Sequence, residues 1–460
     1  MTMRKNRARF AAGIAAVCIS ACGGKETPTI VIPGASEGNT ETDAEVGKAF
    51  PAWDKGELDI HFINTTTGEC IFVIMPDGTQ MLLDAAGSQA ATGKVGNTSN
   101  VGIRQRWDPT KDASFRAGSF IADYIRKAMG WTGNDRIDYV LTSHFHNDHI
   151  GGATNMPVSD KSSTYRKASM AEILDVFPVG KLIDRAYPDY DYPFDLASES
   201  ANAGNVRNYI NAVKWHVANS GMKAERFKAG SASQIVLQKA PGDYPGFEVR
   251  NLAVNGDIWT GSGENALSTF PALDRISVAD PKDVQNGDNC PEENHLSAAV
   301  RISYGKFDCF SGGDLQYNGL STFAWKDIET PVAKVCGEVE VMKADHHGTS
   351  NTNGYGFKNT CWAMRYLNPQ CWVVNSWTDG HPRKDTFEGV TKLIPELNVF
   401  ITNTCDDQKA YSNYGRNVKG ADGHIVVRVN EGGASYNVFV LSDEDGRMIV
   451  KSISGPYASR

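Results

Sequence analysis

The sequence predicts one α/β domain made of two mixed layers rather than a doubly wound parallel sheet, and three features point there. Strand-like and helical segments arrive as two successive β-rich halves, one before about residue 150 and one after about 290. No fixed-period repeat links them, which excludes a solenoid or propeller. The chain has 460 residues, 41% hydrophobic and 22% charged, enough for one large core with its helices.

The elements follow in order. Residues 1–21 carry Arg4, Lys5, Arg7 and Arg9 and then the apolar run "FAAGIAAVCISA". That run is shorter than the roughly 20 residues that span a bilayer, so it reads as an export signal. "ISAC" resembles the lipobox of bacterial lipoproteins, which implies a lipid on Cys22; a plain secretory signal cut near Ala21 is the alternative. Residues 22–50 are rich in Gly, Thr, Glu and Pro and are expected to form a flexible tether. The domain, expected over 51–460, opens with the strands "LDIHFIN", "CIFVIMP" and "MLLDAAG", separated by "TTTGE" and the turn "PDGT". Phe120, Ile121, Tyr124, Ile125 and Met129 have helical spacing, and "RIDYVLTSH" is a short buried strand.

Between about 160 and 290 the pattern loosens, with an aromatic loop "DRAYPDYDYPFD", a helix at "NVRNYINAVKWHVANSG", and strands near "SQIVLQ" and "FEVRNLAVNG". "LSAAVRISY" and "KFDCFSGGDL" then read as paired strands. Three strand-and-loop units follow at "EVEVMKADHHGTS", "QCWVVNSW" and "NVFITNTC", with helices near 356–367 and 384–394, and the chain closes on "HIVVRVN" and "SYNVFVL".

Net charge is −8, and with four positive charges in the first 21 residues the remainder carries −12 (−8 less +4), which gives no support to a general polyanion-binding surface. After Cys22 come Cys70, Cys290, Cys309, Cys336, Cys361, Cys371 and Cys405, without C-x-x-C spacing. They read as buried thiols or incidental disulfides, with Cys361 and Cys371 the first pair to test. No later stretch is apolar and long enough to cross a membrane, so attachment is expected through lipid alone, with no protein partner evident.

The chemistry concentrates in "YVLTSHFHNDHIGGA", residues 139–153. Just after a strand, residues two apart project the same way, so His144 and His146 aim at one spot and Asp148 and His149 at a point beside it. Neutral imidazoles and a carboxylate suit Zn²⁺, and also Mn²⁺ or Fe.

"SHFHNDHIGG" resembles the H-x-H-x-D-H signature of the metallo-β-lactamase superfamily. "PDGTQMLLDAAG", "ENHLSAAVRISYGKFDCFSGGDL", "VMKADHHGTS" and "GHPRKDTF" follow in the order of the ComEC-like hydrolase domain. The resemblance runs from about 57 to 430, least over 160–285. It implies an αββα sandwich of two mixed β-sheets flanked by helices, with two divalent ions at one edge, Zn²⁺ the first expectation. By the same resemblance His144 and His146 hold one ion and Asp148 and His149 the other. Asp314 bridges them, and His346 completes the second site with His347 as neighbour or substitute. Asn294 or His295 is the remaining ligand of the first ion, His295 otherwise being a polar residue that caps a strand. His381 stands beside the leaving group, Asp84 orients a ligand from behind, and Asp148 also orients the nucleophile. The departure is in the first loop, where an Asp and a Gly-Asp pair are usual and this chain has Asn64 and Glu69.

The expected function is therefore metal-dependent hydrolysis, first of phosphodiester bonds in a small molecule or nucleic acid. The same site also suits a lactone, thioester or β-lactam, and a non-catalytic surface lipoprotein is the third reading. A DNA-uptake role does not follow, because uptake channels need many membrane helices.

Overall fold

The computed structural model describes residues 42–87, 116–277, 289–317, 323–349, 362–444 and 446–460. Its first half holds β1 (Leu58–Phe62), β2 (Cys70–Ile74), β3 (Gln80–Ala85), α1 (Ala117–Thr132), β4 (Ile137–Thr142), α2 (Asn147–Ile150), α3 (Ser169–Val176), β5 (Val179–Asp184), α4 (Ala203–Asn219) and β6 (Lys223–Arg226). Next come β7 (Phe247–Val254), β8 (Asp257–Trp259), β9 (Ala266–Ser268), β10 (Ala299–Tyr304), β11 (Phe307–Ser311), α5 (Glu329–Cys336) and β12 (Val341–Lys343). The chain ends with α6 (Trp362–Leu367), β13 (Cys371–Val374), α7 (Lys384–Leu393), β14 (Asn398–Ile401), α8 (Tyr414–Asn417), β15 (Val418–Ala421), β16 (His424–Val429), β17 (Ser435–Leu441) and β18 (Val450–Ala458).

These strands form two mixed sheets, in the orders β18-β17-β16-β1-β2-β3-β4-β5-β6 and β15-β14-β13-β12-β11-β10-β7-β8-β9. Their side chains alternate between two interiors, as a period of two dictates. In β2, Ile71 and Val73 face the other sheet while Phe72 and Ile74 pack on the helical side with Ile121 and Ile125 of α1. In β13, Cys371 and Val373 join the layer between the sheets, and Trp372 and Val374 pack with Val332 of α5 and Phe387 of α7. Because both faces of these strands are covered, they read as continuous apolar runs. The result is the expected αββα sandwich, helix layer on sheet on sheet on helix layer.

The topology also sets where chemistry can occur. β3-β4-β5-β6 and β11-β12-β13-β14-β15 run parallel, so the loops after β3, β4, β11, β12 and β13 leave from carboxyl ends, where open α/β sheets gather ligand-binding residues.

Three expectations are corrected. "SQIVLQ" is not a strand. Ile235 and Leu237 do enter the core between the sheets, but the backbone is held by side chains, with Val236 N–H donating to Tyr139 Oη and Gln238 N–H to Thr79 Oγ1. The end of the expected tether lies on the domain, since Gly47 and Phe50 N–H donate to Val450 and Met448 carbonyls and the Phe50 ring packs 4.9 Å from Phe439. Cys371 is a buried thiol 3.5 Å from Tyr436 Oη rather than a disulfide partner. Cys361, like residues 1–41 with the signal and Cys22, lies outside the described residues. Among the described residues no helix is long and apolar enough to cross a membrane.

Candidate metal centre

β4 ends at Thr142, and Ser143 is pinned at once by Asp84 at the end of β3. The Ser143 N–H donates to Asp84 Oδ1 (2.8 Å), and its hydroxyl and His149 Nδ1 meet Oδ2 at 2.6 and 2.8 Å. Asp84 therefore turns His149 so that its other ring nitrogen, Nε2, faces Asp314 Oδ2 at 3.2 Å. Burial alone would lower the His149 pKa, but Asp314 and Asp84 carry it well above the usual histidine range. Asp314 reaches this point because the two residues before it have no Cβ. A side chain at Gly313, whose φ is +57°, would meet Ser143 Cβ at 2.9 Å, and one at Gly312 would meet Asp345 Oδ1 at 2.3 Å.

Asp314 Oδ2 is the focus of the site. His149 Nε2 lies 3.2 Å from it, His347 Nε2 3.4 Å, His144 Nε2 3.9 Å and His346 Nε2 4.0 Å. His347 Nε2 is also 3.5 Å from Asp148 Oδ2. Ligand atoms at the corners of a tetrahedron with 2.0–2.1 Å bonds are about 3.3–3.4 Å apart, so these spacings suit a Zn²⁺-sized ion. The buried atoms Asp314 Oδ2, His149 Nε2 and both His347 ring nitrogens have no hydrogen-bond partner, which is costly unless a cation takes them. Glu69, His149, Asp314 and His347 form a compact group able to hold a metal. His347, not His346, enters it.

His144 packs against the His149 ring at 4.1 Å, and its Nε2 lies 3.2 Å from His146 Nδ1. Burial first, then His149, keeps His144 well below the usual histidine range. His295 is turned away into a capping box, where its Nδ1 accepts the Glu292 N–H at 3.1 Å. It is Asn294 that approaches the site, with Nδ2 3.4 Å from both ring nitrogens of His346.

Phe145, between the two histidines, is clamped on three sides. Its N–H donates to Glu293 Oε1 (2.8 Å), its carbonyl accepts from Asn202 Nδ2 (2.7 Å), and Arg185 stacks over its ring at 4.7 Å while pairing with Glu293 (2.5 Å). The clamp fixes the directions of His144 and His146. Asn202→Ala is expected to weaken Zn²⁺ affinity roughly 10–100-fold with the fold retained, as is usual when a group supporting a ligand is lost. Competition with a chromophoric chelator measures it, and unchanged affinity would refute the role.

Glu69 shares its Oε2 with a residue the sequence reading passed over, the buried Lys343, at 2.6 Å. Lys343 Nζ also donates to the Gly313 carbonyl (2.6 Å) and sits 3.4 Å from Asp314 Oδ1. Burial works against its charge, but Glu69 and Asp314 more than offset it and hold the ammonium form. Asn64, at the other departure, ties loops together, donating to the Thr402 carbonyl and Asp443 at 2.8 Å each. His381 meets Trp377 edge to face (4.4 Å, 89°) and lies 5.0 Å from His347, its Nδ1 unpartnered. In the aromatic loop Tyr190 turns inward, donating to Asp184 (2.8 Å) against Phe145, so this part of it is packing.

No family model and no curated protein matches the chain. Among solved structures it is similar to CmlA, a diiron β-hydroxylase from Streptomyces venezuelae, at 12% identity with a TM-score of 0.33. The match covers 82% of this chain and 55% of that one, so the chain spans about half the length of the protein it matches.

Proposed function

We propose that the chain is a metal-dependent hydrolase acting on phosphodiester bonds. The observation that carries the metal reading is the convergence of buried, unpartnered nitrogens and oxygens on Asp314 Oδ2 at ligand-to-ligand spacing. Such an acidic, imidazole-rich cluster fits divalent ions. His144 and His146 would hold one, Asp148, His149 and His347 the other, with Asp314 between. Two ions there supply a water of lowered pKa and positive charge beside the oxygen under attack.

The chain's own groups do the rest. Asp148, with its side chain 27% exposed, is the carboxylate that faces solvent, and it orients the attacking water and accepts its proton. His381 is kept neutral, by burial first and then by His347, so it positions the phosphoryl or leaving oxygen as a hydrogen-bonding group. Trp377 packs on both His347 and His381 and excludes water from behind them. The phosphodiester assignment rests on the HHG[ST] and GHP segments. The substrate is a small-molecule or nucleic-acid phosphodiester, and the enzyme is exported and held to a membrane by lipid on Cys22.

The test is metal analysis of the purified chain followed by hydrolysis of bis(p-nitrophenyl) phosphate and of a β-lactam and a lactone, each with Zn²⁺ or Mn²⁺. About two equivalents of metal with phosphodiester turnover is the expected result. Turnover of the carboxylic substrates alone would overturn the substrate class, and no metal uptake would overturn the enzyme reading in favour of a binding protein.

A further inference from the structure

The two adjacent histidines of "DHHG" are built in an unusual way. His346 (φ 44°, ψ 42°) and His347 (φ 57°, ψ 16°) both adopt the left-handed conformation, which non-glycine residues visit rarely and almost never in succession. The surroundings enforce it. His346 N–H donates to the Gly313 carbonyl (3.3 Å), Thr349 N–H to the His346 carbonyl (3.0 Å) and Arg383 N–H to the Gly348 carbonyl (3.0 Å). At Gly348 a Cβ would strike Pro382 at 2.8 Å. Strain of this sort persists where a site needs it.

What the strain achieves is a split. The two rings sit 6.1 Å apart at 67°, and both point an Nε2 at the same oxygen, Asp314 Oδ2. His347 does so from the Asp148 and His149 flank. His346 approaches the same oxygen at 4.0 Å from the side of Asn294, whose Nδ2 lies 3.4 Å from its ring nitrogens. Asn294 stands at the position where a third histidine for His144 and His146 is missing, with Oδ1 buried and unpartnered.

From this we infer that His346 is a ligand of the first ion, together with His144, His146 and Asp314, and that it fills the place left by Asn294. His347 serves the second. Each histidine of the pair therefore holds a different ion, where the resemblance gave His346 to the second with His347 as its neighbour or substitute. The inference rests on the two-ion reading of the site, and the experiment separates the two.

The experiment loads the full chain with Zn²⁺, removes excess metal and counts bound zinc by mass spectrometry, with circular dichroism to confirm folding. Wild type is expected to hold two equivalents. His346→Gly, which suits φ 44° better than histidine does, is expected to fold and hold one. Adding Asn294→His to that variant is expected to restore the second, since it rebuilds an imidazole where one is absent. Two equivalents in folded His346→Gly would overturn the inference while leaving the enzyme reading intact. One in Asn294→Ala alongside two in His346→Gly would give the place to Asn294 Oδ1 and overturn it too. Wild type holding no zinc would overturn both.

Discussion

Hydrolysis by an Asp314→Ala variant is expected to fall by roughly 10³-fold or more, with loss of bound metal and little change in circular dichroism. Metal ions supply several kcal/mol of charge stabilisation in the transition state, and each 1.36 kcal/mol is about tenfold in rate. Asp314 controls this because one of its oxygens faces all four nearby imidazoles while the other is spoken for by Lys343 at 3.4 Å. Its N–H donates to Ser297 Oγ (3.2 Å), which fixes the backbone from which the carboxylate projects. Burial opposes its charge, but His149, His347 and Lys343 hold it well below the usual carboxylate range, and it is ionised at any working pH. Metal content and turnover within tenfold of wild type would refute the bridging role.

Lys343→Met is expected to lower the stability of the metal-free protein by about 3–5 kcal/mol, because the change leaves Glu69 buried without its cation. The lysine is fully buried and its ammonium is the nearest positive group to Glu69 Oε2, at 2.6 Å against 3.7 Å for His347 Nδ1. On the proposed metal reading, added Zn²⁺ is expected to bind the folded form and to stabilise the variant more than wild type, because it restores charge balance. Thermal melts with and without Zn²⁺ read both effects. An unchanged metal-free melting temperature would show that the ammonium does not neutralise these carboxylates.

The sandwich was legible because its strands are buried on both faces and its first three strands are broken by unmistakable turns. The histidine run after β4 was legible too, since four potential ligands in six residues have few structural uses. Lys343 was overlooked inside an apolar strand, although a lone lysine between Met342 and Ala344 is itself a signal that something negative waits nearby. Arg185, Glu293 and Asn202 carried no such signal. They meet Phe145 from sites 40 to 148 residues away, and only the folded topology brings them together. "SQIVLQ" misled for a related reason, being apolar enough for a strand while its hydrogen bonds went to side chains.

The clamp on Phe145 also bears on the order of assembly. Glu293 reaches it across 148 residues of chain, and His347 lies about 200 residues beyond His144. At 5–20 residues per second, synthesis takes roughly 10–40 s to cover that stretch. At the start of this interval the H-x-H-x-D-H turn lacks Asp314, His347 and its buttress, and has only a fragment of its ligand set. Asp314 and His347 meet the turn only once the second sheet has closed on the first, so the full ligand set exists only in the completed fold.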